Sequence, residues 1–286
     1  MNKQAEKNQR LSLGNIRKII DDFRREINEA GPNKKPLITI PAGAAGSAAG
    51  LPFELWFISK ISERIEYTVF SSIDFMKYIV ENFMNSMGLD KLIRTTWWGR
   101  LQQFTHEKIE RIQRGEQPKL QQALGDIVIK YGQDLNDIVL INVKATEVSG
   151  EKPVSRPPNI VSSLRILKFL LEMFEKKAHL IDKVNVWLIG FYYQPLRNNK
   201  VEIVRCYFFD LFKLDLEKAP KINFDAAIQI QWHLCDMKEI KDLTLAEFSS
   251  KLVNKCTTEW NAFIKSRDEK LKKLTQRLLK AIEKQT

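Results

Sequence analysis

The stretch from Gly125 to Lys144 constrains this chain more than any other. Asp126-Ile127-Val128-Ile129-Lys130 and Asp137-Ile138-Val139-Leu140-Ile141-Asn142-Val143-Lys144 are β-branched runs separated by a short polar connection, Tyr131 to Asn136. Two such runs around a turn predict an antiparallel hairpin. With the turn centred near Asp134-Leu135, Asp126 lies beside Asn142 and Val143. Asn142 and Lys144 are two residues apart, so both leave one face of their strand. An acid, a carboxylate-sized amide and a lysine thus meet at one end of a sheet. That is the layout of a metal-dependent phosphodiesterase centre, with an asparagine where an aspartate is expected.

The chemistry gives each residue a role. Phosphodiester cleavage needs a water nucleophile, neutralisation of transition-state charge and help for the leaving oxygen. Mg²⁺ held by carboxylates and carbonyls supplies the last two. Asp126, the side chain at 142 and the Val143 carbonyl are the candidate ligands, and Lys144 the group that activates water and steadies charge. Asp137 is excluded: five strand residues place it about 16 Å from position 142. The spacing by itself is common among hairpins whose charges only face solvent.

At 286 residues the chain can bury a sizeable core. Its net charge is +11 and its isoelectric point about 9.4. Residues 251–286 hold ten basic and four acidic side chains, net +6, and residues 1–36 carry +4. Two basic ends suit a polyanion, although lysine-rich faces are also ordinary solvated surface. Cys206, Cys235 and Cys256 are too far apart for a CxxC pair, and the three histidines lack zinc spacing. The polar start and the shortness of the apolar runs point to a cytoplasmic protein with no membrane partner.

Helical spacing runs over 11–30, and a Gly/Ala/Pro-rich connector over 33–50. Helices are expected from Pro52 to Glu63, over 71–87, over 98–114, from Ile160 to Lys177 and over 243–284. Strands are expected at 184–192, 201–208 and 227–234, the last alternating Ile228, Ile230, Trp232 and Leu234 with Gln229, Gln231 and His233. Trp97 and Trp98 read as core. This order predicts a mixed α/β fold: a central mixed β-sheet flanked by helices, in one elaborated domain over 1–286. Residues 1–36 form an N-terminal helical extension, and residues 243–286 a basic C-terminal one.

Four blocks carry a resemblance. Ala48-Ala49-Gly50-Leu51-Pro52-Phe53-Glu54, Gly125-Asp126-Ile127-Val128 with Asn142-Val143-Lys144, Pro157-Pro158-Asn159-Ile160-Val161-Ser162, and Ile222-Asn223 through Gln229-Ile230-Gln231-Trp232-His233 resemble, in order and spacing, the HincII family of type II restriction endonucleases, within the PD-(D/E)xK nucleases. The resemblance covers about residues 45–236. It implies a restriction-endonuclease-like core and a homodimer that clasps a palindromic DNA duplex. It also implies Mg²⁺-dependent cuts in both strands, blunt, leaving 5′-phosphate and 3′-hydroxyl. Glu54 becomes an accessory acid. Arg156 and Asn159 become base-contacting or wedging residues, with a phosphate clamp and a helix cap as their plainer alternatives. Gln229, Gln231 and His233 form a polar strand face that reads DNA edges or faces solvent.

The family has aspartate where this chain has Asn142. The amide weakens the anionic cradle, so the chain is expected to be catalytically impaired. Either the aspartate has been deliberately replaced to hold DNA uncleaved, which the wholeness of the remaining motif favours, or Asn142 is native to an enzyme with altered metal use. Another nuclease of the superfamily, for repair or for resolving junctions, and a non-catalytic sequence-specific DNA-binding protein are the alternatives. They separate on double-strand cutting at a palindrome and on whether Asn142→Asp cleaves at all.

Overall fold

The computed structural model describes residues 3–41, 47–116, 123–150, 152–154, 157–219, 221–224 and 228–283. Its elements, in chain order, are α1 (Lys3–Glu29), β1 (Leu37–Thr39), α2 (Ser47–Ser62), β2 (Thr68–Ser71), α3 (Ser72–Met87), α4 (Leu89–Thr95), α5 (His106–Gln113), β3 (Ile127–Lys130), β4 (Ile138–Ser149), β5 (Lys152–Pro153), β6 (Asn159–Ser162), α6 (Ser163–Lys176), β7 (Val186–Pro195), β8 (Lys200–Asp210), β9 (Lys221–Asn223), β10 (Gln229–Gln231) and α7 (Leu245–Glu283).

A mixed sheet runs β1-β8-β7-β4-β3-β2, with β5 on the far end of β4. Only β4 and β7 pair in parallel in it; the rest are antiparallel. Both faces of its centre are covered, which is why β7 and the first half of β4 read as unbroken apolar runs. One core joins α1 and α2 (Ile16, Ile20, Phe53, Phe57) to Ile127, Ile129, Ile141 and Val143. The other joins α3, α6 and the start of α7 (Phe75, Phe169, Phe248) to Val128, Leu140 and Leu188. A second antiparallel sheet, β6-β10-β9, contributes Ile160, Ile222 and Ile230 to that second core.

The hairpin register is as expected: Ile127 faces Ile141 and Lys130 faces Ile138, centring the turn on Asp134. β4 then runs on to Ser149, beyond the start of β3. Asp137 lies at the opposite end, where Lys183 bonds both it and Asp134.

Several local expectations are corrected. Within 98–114 only His106–Gln113 is helical, because Trp97 and Trp98 are tethered to the hairpin turn. The Trp97 backbone and indole N–H groups donate to Asn136, and the Trp98 indole donates to the Leu135 carbonyl at 2.7 Å. Both rings are buried. The 33–50 connector contains β1, an edge strand on β8, and the first turn of α2, so Pro52 lies inside that helix. Asn159 does not cap α6. It belongs to β6, and Ser162 is the cap, accepting the Arg165 N–H at 3.4 Å. Among the described residues of 227–234 only Gln229–Gln231 is strand; a 3-10 turn starts at Leu234, whose side chain packs against Gly190 of β7. Beyond Trp260 every described α7 side chain is exposed except the half-buried Phe263.

Candidate active site at the end of the β3–β4 hairpin

Asp126 sits one residue before β3, and its backbone N–H bonds the Ile141 carbonyl at 2.9 Å. Its side chain turns towards β4, where Oδ2 accepts the Val143 N–H at 2.7 Å. Burial raises the pKa of this carboxyl above the usual aspartate value; the Lys144 ammonium and the Val143 N–H act in the opposite sense. Asn142, opposite Asp126, is 7% exposed. Its Nδ2 donates to the Leu124 carbonyl at 2.6 Å, while Oδ1 is buried with no partner. Since a carbonyl can only accept, this contact also fixes which end of the amide is nitrogen.

Glu54 reaches the same point from α2. Burial first, and the Asp126 charge second, push its pKa up to about 7, and Lys144 pulls it down. A buried aspartate whose charge raises a second carboxyl beside a lysine is an arrangement that suits a cation. Among the described residues no three His, Cys, Asp or Glu side chains gather at one point, because the donors here are two carboxylates and an amide. The unpartnered Asn142 Oδ1 beside a buried aspartate fits a divalent cation: an orphaned buried acceptor is costly unless something completes it.

The chain's residues 33–285 match the sequence family described as restriction endonuclease HincII. This chain belongs to that family. Among solved structures the NlaIV restriction endonuclease is similar, at 14% identity and a TM-score of 0.39, over 85% of this chain and 78% of that one. At that distance it carries no residue roles. No curated protein matches the chain. Family membership makes the protein a HincII-like type II restriction endonuclease and a deoxyribonuclease, of a family that generally uses divalent metal ions and acts on DNA. Among the described residues no helix is long and apolar enough to cross a membrane.

For a HincII-family chain, the residues singled out from sequence divide into two groups. Asp126, Asn142, Val143, Lys144 and Glu54 come together at the hairpin end. Asn159, Gln229 and Gln231 share the β6–β10 ladder instead. Gln231 Nε2 donates to Asn159 Oδ1 at 3.0 Å, and Gln229 Oε1 is buried without a partner. His233 lies past the end of β10, its Nδ1 also buried and unpartnered, so the three polar residues are not one strand face. Arg156 lies outside the described residues. Sequence reasoning missed Gln102, whose buried amide bonds Gly125 next to Asp126, and Ser72, whose N–H donates to the Asp126 carbonyl at 2.9 Å. Neither belongs to a motif, and both partners are distant in sequence.

Proposed function

We propose that this nuclease cuts both strands of a short palindromic DNA site, using Mg²⁺ and leaving blunt ends with 5′-phosphate and 3′-hydroxyl. The observation that carries the reading is the meeting of Asp126, Asn142 Oδ1 and Lys144 at the hairpin end with Glu54 facing them. Asp126, the Asn142 amide oxygen and the Val143 carbonyl would hold the cation, with Glu54 beside them. When bound, the cation supplies charge neutralisation at the phosphate and a more acidic water. Lys144 steadies the developing phosphorane charge and orients the attacking water. Glu54, with a pKa of about 7, holds or yields a proton near neutrality. Asn159, Gln231, Gln229 and His233 would contact DNA, and Arg156, outside the described residues, is assigned the same role by its chemistry; amides match adenine edges and arginine matches guanine. Cutting both strands of a palindrome calls for a two-fold homodimer, each copy presenting one centre.

Asn142 lowers the anionic charge of the centre, so cleavage by this chain is weak. The Asn142 amide donates to the Leu124 carbonyl, a bond that a carboxylate in the same place could not make. The test is digestion of a plasmid of known sequence by this chain and by Asn142→Asp, with Mg²⁺ titrated and fragment ends mapped. Fixed, blunt, palindromic ends support the reading. Inactivity of both proteins on all DNA sinks it.

A further inference from the structure

We propose that Gln102 is a positioning residue for the metal centre, holding the Asp126 carboxylate in place without touching DNA or cation. The inference rests on the nuclease reading above. Gln102 is 1% exposed and sits in the irregular segment between α4 and α5, followed by Gln103 at φ 54°. Its Nε2 donates to the Gly125 carbonyl at 3.1 Å, and its Oε1 accepts the Gly125 N–H at 3.3 Å. One side chain therefore satisfies both polar groups of the residue preceding Asp126.

The neighbouring bonds explain what this clamp does. The Leu124 N–H goes to the Leu101 carbonyl at 3.0 Å, and the Leu124 carbonyl accepts Asn142 Nδ2. The Asp126 N–H and carbonyl are taken by Ile141 and Ser72. All six backbone polar groups of Leu124-Gly125-Asp126 are bonded, ahead of the first regular strand pair. Gln102 supplies both of the bonds on Gly125, the residue with the widest conformational freedom. The backbone passes close to its neighbours here: a Cβ on Gly125 would lie 3.0 Å from both Gln102 Nε2 and Leu140 Cβ, and they would have to give by a few tenths of an ångström. The close approach that makes the clamp possible thus leaves a flexible residue beside the catalytic acid. Gln102 removes that freedom.

The test is Mn²⁺ binding to the chain as it stands, followed by electron paramagnetic resonance, for wild type, Gln102→Met and Gln102→Glu across pH. Methionine keeps the bulk and removes both bonds. A protonated glutamic acid restores an O–H donor and a carbonyl acceptor; its ionised form does not. Gln102→Met should weaken Mn²⁺ about tenfold, as loss of outer-layer support does at metal sites. Metal-free duplex DNA binding should stay within twofold and melting remain cooperative. Gln102→Glu, taken relative to wild type at each pH, should match wild type when protonated and fall to the Met level when ionised. A folded Gln102→Met with unchanged Mn²⁺ affinity overturns the proposal, and so does a Gln102→Glu that stays at the Met level at every pH. If Gln102→Met does not fold, the pH dependence of Gln102→Glu decides alone. Wild type that binds no Mn²⁺ overturns the metal-nuclease reading itself, and this role with it.

Discussion

The hairpin end and the small β6-β10-β9 sheet differ in how their polar groups are completed. Around Asp126 the backbone groups of Leu124, Gly125 and Asp126 are all bonded within the chain, and the buried side-chain oxygens without a partner are Asn142 Oδ1, beside the acid, and Ser72 Oγ. In and beside the small sheet, Gln229 Oε1, Trp232 Nε1 and His233 Nδ1 are all buried without partners. Ile228, a β-branched residue, stands at φ 52° while its carbonyl accepts the Ser163 N–H at 2.8 Å. Such a residue in the left-handed region costs energy that surrounding structure must hold. The contrast is between a hairpin end whose backbone is fully bonded and a small sheet that buries several polar side-chain atoms unpaired and holds a strained residue beside them.

The largest effect that would sharpen the contrast is at Asn142. Asn142→Asp should raise Mg²⁺-dependent cleavage on the order of 10²-fold or more, since it restores a charge to the cation cradle. In EDTA the same change should destabilise the fold by about 1–3 kcal/mol, because the bond to Leu124 is lost and a carboxylate faces its carbonyl. Mg²⁺ should return that stability by mass action. Cleavage rates with calorimetry in both buffers check this. A variant equally stable with and without metal would break the idea that the hairpin end is completed by a cation.

Gly190→Ala tests how the two regions are joined. An added Cβ on β7 would collide with the Leu234 side chain, the anchor of the turn after β10. Overpacking there should cost about 1–3 kcal/mol, read by urea denaturation. A neutral result would mean the small sheet rides loosely on the main one.

Glu54 gives a pH-dependent test. Its folded pKa of about 7 lies above the ordinary carboxylate value of 4.5, so between those pH values the native state binds more protons than the unfolded one. Stability from this group therefore falls as pH rises through that window. Glu54→Gln should remove the slope and leave the protein about 2 kcal/mol more stable at pH 8 and unchanged near pH 4, allowing for partial exposure. Equal gains at both pH values would show that burial alone, and not charge, sets this residue.

The smallest effect is expected from Gln231→Ala. The pair with Asn159 is exposed, so stability should change by less than about 1 kcal/mol. Discrimination among near-cognate DNA sites should fall by about 1–3 kcal/mol. Competition binding against single-base variants measures it. Uniform weakening across all sequences would make Gln231 a backbone contact instead.

Much of the hairpin was legible in sequence because its signal is local: alternating β-branched runs and a polar turn specify pairing and register. Asp126, Asn142 and Lys144 followed from that register alone. The boundaries around the tryptophans were not legible. Trp97 and Trp98 have helix-compatible neighbours, yet Asn136 and Leu135, far along the chain, hold them in a loop. The polar face from Gln229 to His233 failed for a similar reason: alternation predicted a longer strand, and packing of Leu234 against Gly190 ended it.

Sequence by itself determined the helix and strand periodicities, the pairing of Asp126 with Asn142, and the family motifs, because each depends on neighbours a few residues apart or on one turn. Tertiary structure alone decided that Glu54 faces the hairpin from another helix, that burial lifts its pKa, that Asn142 splits its amide between Leu124 and an empty-handed oxygen, and that Gln102 holds Gly125. These depend on desolvation and on contacts between distant segments, and no spacing rule along one chain encodes either.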